Sequence, residues 1–170
     1  MLTIKSIRRA AVFFVILFLF LRPVSGDGDL FHHLASGKYF FENSAVPRID
    51  DYTFTANGKT WIAHSWGSGV LFYLFYKLAG LFGISFFVFF TAVLTFLLIW
   101  KLLKTRGIAE KTIFLLILLA APLVSIRFPS RPEIMTYPLL LSLLIIGEKA
   151  GKKAQKKGSM EKYKINMNYF

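Results

Sequence analysis

Cysteine is absent from this chain, so neither a disulfide framework nor a thiolate metal site is available, and the redox compartment is left open. Acidic residues are scarce too. Nine Asp and Glu stand against 21 Lys and Arg, a formal net charge of +12. That balance raises the question of nucleic acid. The cations, however, form no groove-like patch interleaved with base-stacking aromatics; they cluster at the ends of hydrophobic runs, which sets nucleic acid aside. Polar residues are missing altogether from Ala10 to Leu21. What is abundant is apolar surface: the chain is 55% hydrophobic, with 19 Phe, more than 170 residues can bury in a soluble domain. A membrane protein follows.

The hydrophobic runs divide the chain. Lys5, Arg8 and Arg9 precede the first run, which is short for a span needing ~20 apolar residues. It fits a signal-anchor over 1–24, or a cleaved signal peptide leaving at Val24-Ser25-Gly26. Arg22-Pro23 and the further runs favour the anchor. A polar stretch follows, in which Leu30, Leu34 and Phe41 suggest a short helix resting one apolar side on the bilayer interface. Residues 50–55 alternate like a strand, Asn57-Gly58 is a turn signal, and Lys59 to Ala63 reads as the returning strand.

From Trp66 to Trp100 the sequence is almost unbroken apolar, too long for one crossing at ~1.5 Å per residue against a ~30 Å core. Gly80 and Gly83 mark a break. The expected pieces are an interfacial helix to Leu78 and a span from Ile84 to Trp100. Thr112 to Ile126, with Pro122 as an expected kink, and Ile134 to Ile146 give two more spans. A lysine-rich tail from Glu148 is expected to be disordered. The architecture is therefore all-α and polytopic, with about four transmembrane helices. It divides into the anchor at 1–24, an extracytoplasmic loop with interfacial helices at 25–82, a three-span domain at 83–147 and a cytoplasmic tail at 148–170. The cations at 5–9, 101–111 and 149–164 put both termini in the cytoplasm by the positive-inside rule.

Chemistry concentrates in the outer loop. Asp27, Asp29, His32 and His33 fall within eight residues, and His64, Asp50 and Asp51 lie in the same loop. On a helix beginning at Asp29, Asp29 and His33 share a face one turn apart. A carboxylate beside an imidazole suits general acid–base work, and the pair could also help to hold a divalent cation. Asp29 is equally a good N-cap residue and Asp27-Gly28 a good turn. His64-Ser65 has no Gly-x-Ser-x-Gly elbow around it, so a serine hydrolase is set aside. Trp61 and Trp66 read as aromatic-belt anchors before sugar platforms. Arg127 and Arg131 suit either a lipid phosphate or topological anchoring, and Glu133 is placed to pair with Arg131. A channel or transporter is disfavoured because the spans hold almost no ionisable residues.

Three segments taken together are familiar: Asp27-Gly28-Asp29-Leu30-Phe31-His32-His33-Leu34-Ala35-Ser36-Gly37, then Val46-Pro47-Arg48-Ile49-Asp50, then Trp61-Ile62-Ala63-His64-Ser65-Trp66. With Arg131-Pro132-Glu133 before the last run, this order resembles the N-terminal part of bacterial multi-spanning membrane proteins of the GT-C glycosyltransferase type. The resemblance covers roughly Pro23 to Ile146. It implies sugar transfer from a polyprenyl-phosphate donor on the outer face of the bacterial inner membrane. By the same resemblance Asp29, then Asp27, takes the catalytic acidic position with His33 beside it. Arg48, Asp50, His64, Trp66 and Arg131 become substrate-binding candidates, and the metal is left unassigned. Ser65 stands where that family usually has Glu. Such proteins carry many more spans, which implies an N-terminal fragment or a protein partner supplying further helices. The alternative is a non-catalytic membrane scaffold or subunit that binds a partner through its outer loop.

Overall fold

The unbroken apolar run near the N-terminus forms helix α1, Ile4–Phe20, and its next polar neighbours lead to α2, Gly28–Asn43. The computed structural model describes residues 4–23, 28–126 and 128–167. It is all-helical, 78% helix, with no strand among the described residues. After α2 come α3, Trp66–Thr105, and α4, Glu110–Ile126. A 3-10 turn, Pro132–Met135, then feeds α5, Thr136–Met167.

Helix α3 is two helices joined at a kink. Ala79 and Gly80 leave helical geometry there, and Gly80 sits at φ 59°, ψ −144°, a region open to glycine and strained for other residues. The chain then passes so close to itself that a Cβ on Gly83 would lie 2.0 Å from the Phe75 carbonyl oxygen. The break expected at Gly80 and Gly83 is where the chain bends. Inside the apolar stretch, Ser85, Thr91 and Thr95 return their hydroxyls to the carbonyls of Leu81, Phe87 and Thr91, so these three hydroxyls are not stranded.

Two ends can be told apart by their ion pairs. Arg9 meets Glu110 at 3.0 Å and Arg106 meets Glu148 at 2.6 Å, which gathers the starts of α1 and α4, the end of α3 and the middle of α5. At the other end the Arg22 guanidinium donates to the Ser125 carbonyl at 2.8 Å, and Arg131 reaches Asp29. Helices α1 and α4 therefore run parallel to one another. Between the ends lies an apolar band whose core includes Ile84, Ala92, Ile113 and Ala121, all fully buried. Its outer surface exposes Phe14, Phe18, Leu119, Leu123, Leu139 and Leu143. An apolar surface so extensive suits contact with lipid. Two helices, Trp66–Thr105 and Pro132–Lys156, are long and apolar enough to cross a membrane. Helices α1 and α4 have 17 residues each, or roughly 25 Å at ~1.5 Å per residue.

Three expectations change. The apolar side of α2 expected at the bilayer interface is divided, with Phe31 and Phe41 exposed and Leu30 and Leu34 turned into the protein. Leu30, Leu34 and Gly37 are buried, and α2 packs along α3. The anticipated hairpin shrinks to an isolated antiparallel bridge, Ile49 with Thr60. Its extended arm is 48–50 rather than 50–55, because the Asp50 carboxylate captures the next backbone N–H groups and turns the chain. The tail expected to be disordered continues α5 through Met167. Its Lys, Glu, Ala and Gln content favours helix, and no proline follows Pro138 to stop it. Glu148 and Lys152 also tie this segment to Arg106 and to the Thr105 carbonyl.

Candidate functional site

A cleft of about 490 Å³ opens at the loop end of the bundle, where α2, the 48–66 loop and the 3-10 turn meet. Helix α2 supplies Asp29, His32, His33 and Ser36. At spacings of three and four these form one polar stripe, while Leu30, Leu34 and Gly37 turn the other way into α3. The helix begins at Gly28, so Asp29 stands inside the first turn rather than capping it; its charge complements the helix dipole there.

Close backbone contact fixes this stripe. A Cβ on Gly37 would lie 2.1 Å from the Gly69 carbonyl oxygen, and one on Gly69 would lie 2.5 Å from that of His33. Only glycine at both positions lets α2 and α3 cross this tightly. Above the crossing the Trp66 ring stacks on Phe40 at 5.4 Å, and the His33 ring lies 6.2 Å from Phe72.

Arg131 comes from the far side. Phe128 is buried against Phe20 at 5.2 Å and stacks on Tyr137 at 5.4 Å, while Ile134 is fully buried. The segment between these anchors is held, and with it Arg131, whose Nη2 lies 3.1 Å from Asp29 Oδ2. Both side chains are about half exposed, so their attraction is solvent-screened. Glu133, placed by sequence to pair with Arg131, lines the same cleft.

The loop contributes differently. Asp50 Oδ1 accepts the backbone N–H groups of Tyr52 and Thr53, each at 2.9 Å, and Oδ2 accepts the Thr53 hydroxyl at 2.6 Å. The Thr53 hydroxyl first, then the two N–H groups, holds its carboxyl below the ordinary value of 3.8. Asp50 lines the cleft, but its oxygens are engaged by its own turn. Burial, then the Asp51 carboxylate, pushes the Tyr52 phenol up, and its ring meets Trp61 edge-on at 5.7 Å. His64 Nδ1 lies 3.3 Å from the Ile62 carbonyl, a local contact at the cleft wall.

Of the residues singled out by sequence, Asp29, His33, Asp50, His64, Trp66 and Arg131 thus line one cleft. Arg48 does not. It is exposed on the extended arm, where its carbonyl accepts the Trp61 N–H. Asp27 and Arg127 lie outside the described residues. Among the described residues no three His, Asp or Glu side chains gather as ligands for a metal ion. Sequence reading missed Ser36, whose buried hydroxyl has no hydrogen-bond partner among the described residues, and Thr53. The stripe spacing from Asp29 through His32 and His33 was the available signal for Ser36. No family model matches the chain, and neither a curated protein nor a solved structure does.

Proposed function

We propose that this chain is a GT-C-like membrane glycosyltransferase or the N-terminal part of one. It transfers a sugar from a polyprenyl-phosphate donor at the outer face of a bacterial inner membrane. In this reading α1, the second part of α3, α4 and α5 are four membrane segments with both termini cytoplasmic, and the cleft faces outward. The observation that carries it is the meeting of Asp29, His33 and Arg131 in one cleft at the end of an apolar bundle.

The chemistry asked of these groups is limited. Asp29 takes the proton of an acceptor hydroxyl as that oxygen attacks the anomeric carbon. The bond from that carbon to the phosphate oxygen breaks, and the polyprenyl phosphate leaves with the electron pair. Arg131, which matches phosphate oxygens, moves from Asp29 to the leaving group. His33, one turn along the same face, orients the carboxylate.

The test is transfer by the full chain in vesicles supplied with undecaprenyl-phosphate hexoses and a panel of hydroxyl acceptors. Asp29→Asn is expected to lower transfer by about 10²–10⁴-fold, the usual share of a general base, with insertion unchanged. Loss of less than threefold removes Asp29 from the chemistry. A second reading, a scaffold that recognises a protein through this loop, is favoured by Asp50, whose carboxylate builds the loop instead of facing a ligand. A scaffold keeps its partner after Asp29→Asn and shows no transfer with any donor.

A further inference from the structure

We infer that a groove between α1 and α3, at the end of the bundle away from the cleft, binds a membrane phospholipid with an anionic head group. This rests on the membrane part of the proposed function and not on sugar transfer. The groove measures about 310 Å³, at the lower end of the ~300–1,000 Å³ typical of small-molecule sites. From α1 come Val12, Phe13 and Ile16, and from α3 come Val93, Leu97 and Trp100. Each set follows helical spacing, so two apolar stripes face one another across the groove. Ile117 of α4 also lines it and is buried. Phe13 and Leu97 are exposed, so the groove opens sideways, where lipid chains would lie.

Its mouth is cationic. Arg9 precedes Phe13 by one turn and lines the groove itself. On α3 the stripe continues with Lys101 one turn beyond Leu97 and Lys104 one turn beyond Trp100, both exposed. Among the described side chains the carboxylates at this end are Glu110, paired with Arg9, and Glu148, paired with Arg106. Cations remain in excess there. An apolar slot ending in excess positive charge matches an acyl chain joined to a phosphodiester. A zwitterionic lipid would bring its ammonium among these lysines. A second copy of this chain would bring the same positive surplus. Free phosphate would leave the slot unfilled.

The experiment is native mass spectrometry of the full chain, delipidated in mild detergent and titrated with phosphatidylglycerol or phosphatidylcholine. The expected result is one retained phosphatidylglycerol per chain, held at least tenfold more tightly than phosphatidylcholine. Lys101→Gln with Lys104→Gln, at exposed positions that leave the fold intact, weakens phosphatidylglycerol retention by about 30-fold and leaves phosphatidylcholine unchanged. Val93→Trp fills the slot and abolishes both. Equal retention of the two lipids, indifference to the lysine changes, displacement by millimolar inorganic phosphate, or a dimer in place of the lipid each overturns the inference. No sugar donor is present, so failed transfer and failed lipid retention are separate results.

Discussion

Asp29 Oδ2 and Arg131 Nη2 meet at 3.1 Å across the mouth of the cleft, joining the first turn of α2 to the residue that precedes the 3-10 turn. Half-exposed ion pairs contribute roughly 0.2–1 kcal/mol, so this one is a poor source of stability. Its consequence is positional. A carboxylate and a guanidinium are held where one can act on a hydroxyl and the other on a phosphate. Arg131→Gln is therefore expected to change the unfolding free energy by less than about 1 kcal/mol. A double-mutant cycle with Asp29→Asn, read by thermal unfolding in detergent, checks this. Coupling above about 2 kcal/mol would mean that the pair is a structural clamp.

The glycine crossing beneath the cleft carries a sharper cost. Gly37→Ala sets a methyl group against the Gly69 carbonyl oxygen, and backbone cannot yield as a flexible side chain can. A loss of about 3 kcal/mol or more is expected, the upper part of the overpacking range. Gly69→Ala, against the His33 carbonyl, behaves alike. Gly67→Ala is the control, because nothing lies within 4 Å of its added carbon. Unfolding temperatures of the three variants in one detergent decide the matter.

Much of this frame was legible in the sequence. Composition gave the apolar helices, and Gly80 and Gly83 gave the bend in α3. The polar spacing from Asp29 gave one wall of the cleft. What could not be read were contacts between distant segments. Gly37 and Gly69 look like ordinary glycines until their backbones are brought together. Arg131 looks like a topological anchor until Phe128 and Ile134 are seen to fix the turn around it. Asp50 lines the cleft, but its engagement with Tyr52 and Thr53 was not legible, since a carboxylate two residues before Tyr-Thr can bond its own turn as readily as a ligand.

That local role has a pH signature. The Asp50 carboxyl is held below its ordinary value of 3.8 by bonds that exist only in the folded loop. The group therefore favours the folded loop fully above that ordinary value. Its contribution falls away as pH drops through the lower folded value. A ¹³C-carboxyl NMR titration of Asp50 in nanodiscs is expected to show a midpoint below 3.8. Thr53→Val, which removes the strongest of these bonds, should move the midpoint up. An unshifted midpoint in both proteins would remove the turn from the account.

The arrangement of the two ends yields a prediction that needs no substrate. Arg9 with Glu110 and Arg106 with Glu148 gather at one end, and Asp29 with Arg131 at the other. If the apolar band between them lies in a bilayer, the 48–66 loop and the α3–α4 turn face opposite compartments. The absence of cysteine makes this directly measurable, because every introduced thiol is the sole one. Asn57→Cys and Lys104→Cys, both at exposed positions, are labelled in intact cells with a membrane-impermeant maleimide. Asn57→Cys should react from outside, and Lys104→Cys only after the membrane is opened, since cation-rich short loops stay in the cytoplasm. The reverse pattern would turn the cleft towards the cytoplasm and remove it from any outer-face donor. Labelling of both thiols in intact cells would mean that the band between them is not a membrane crossing.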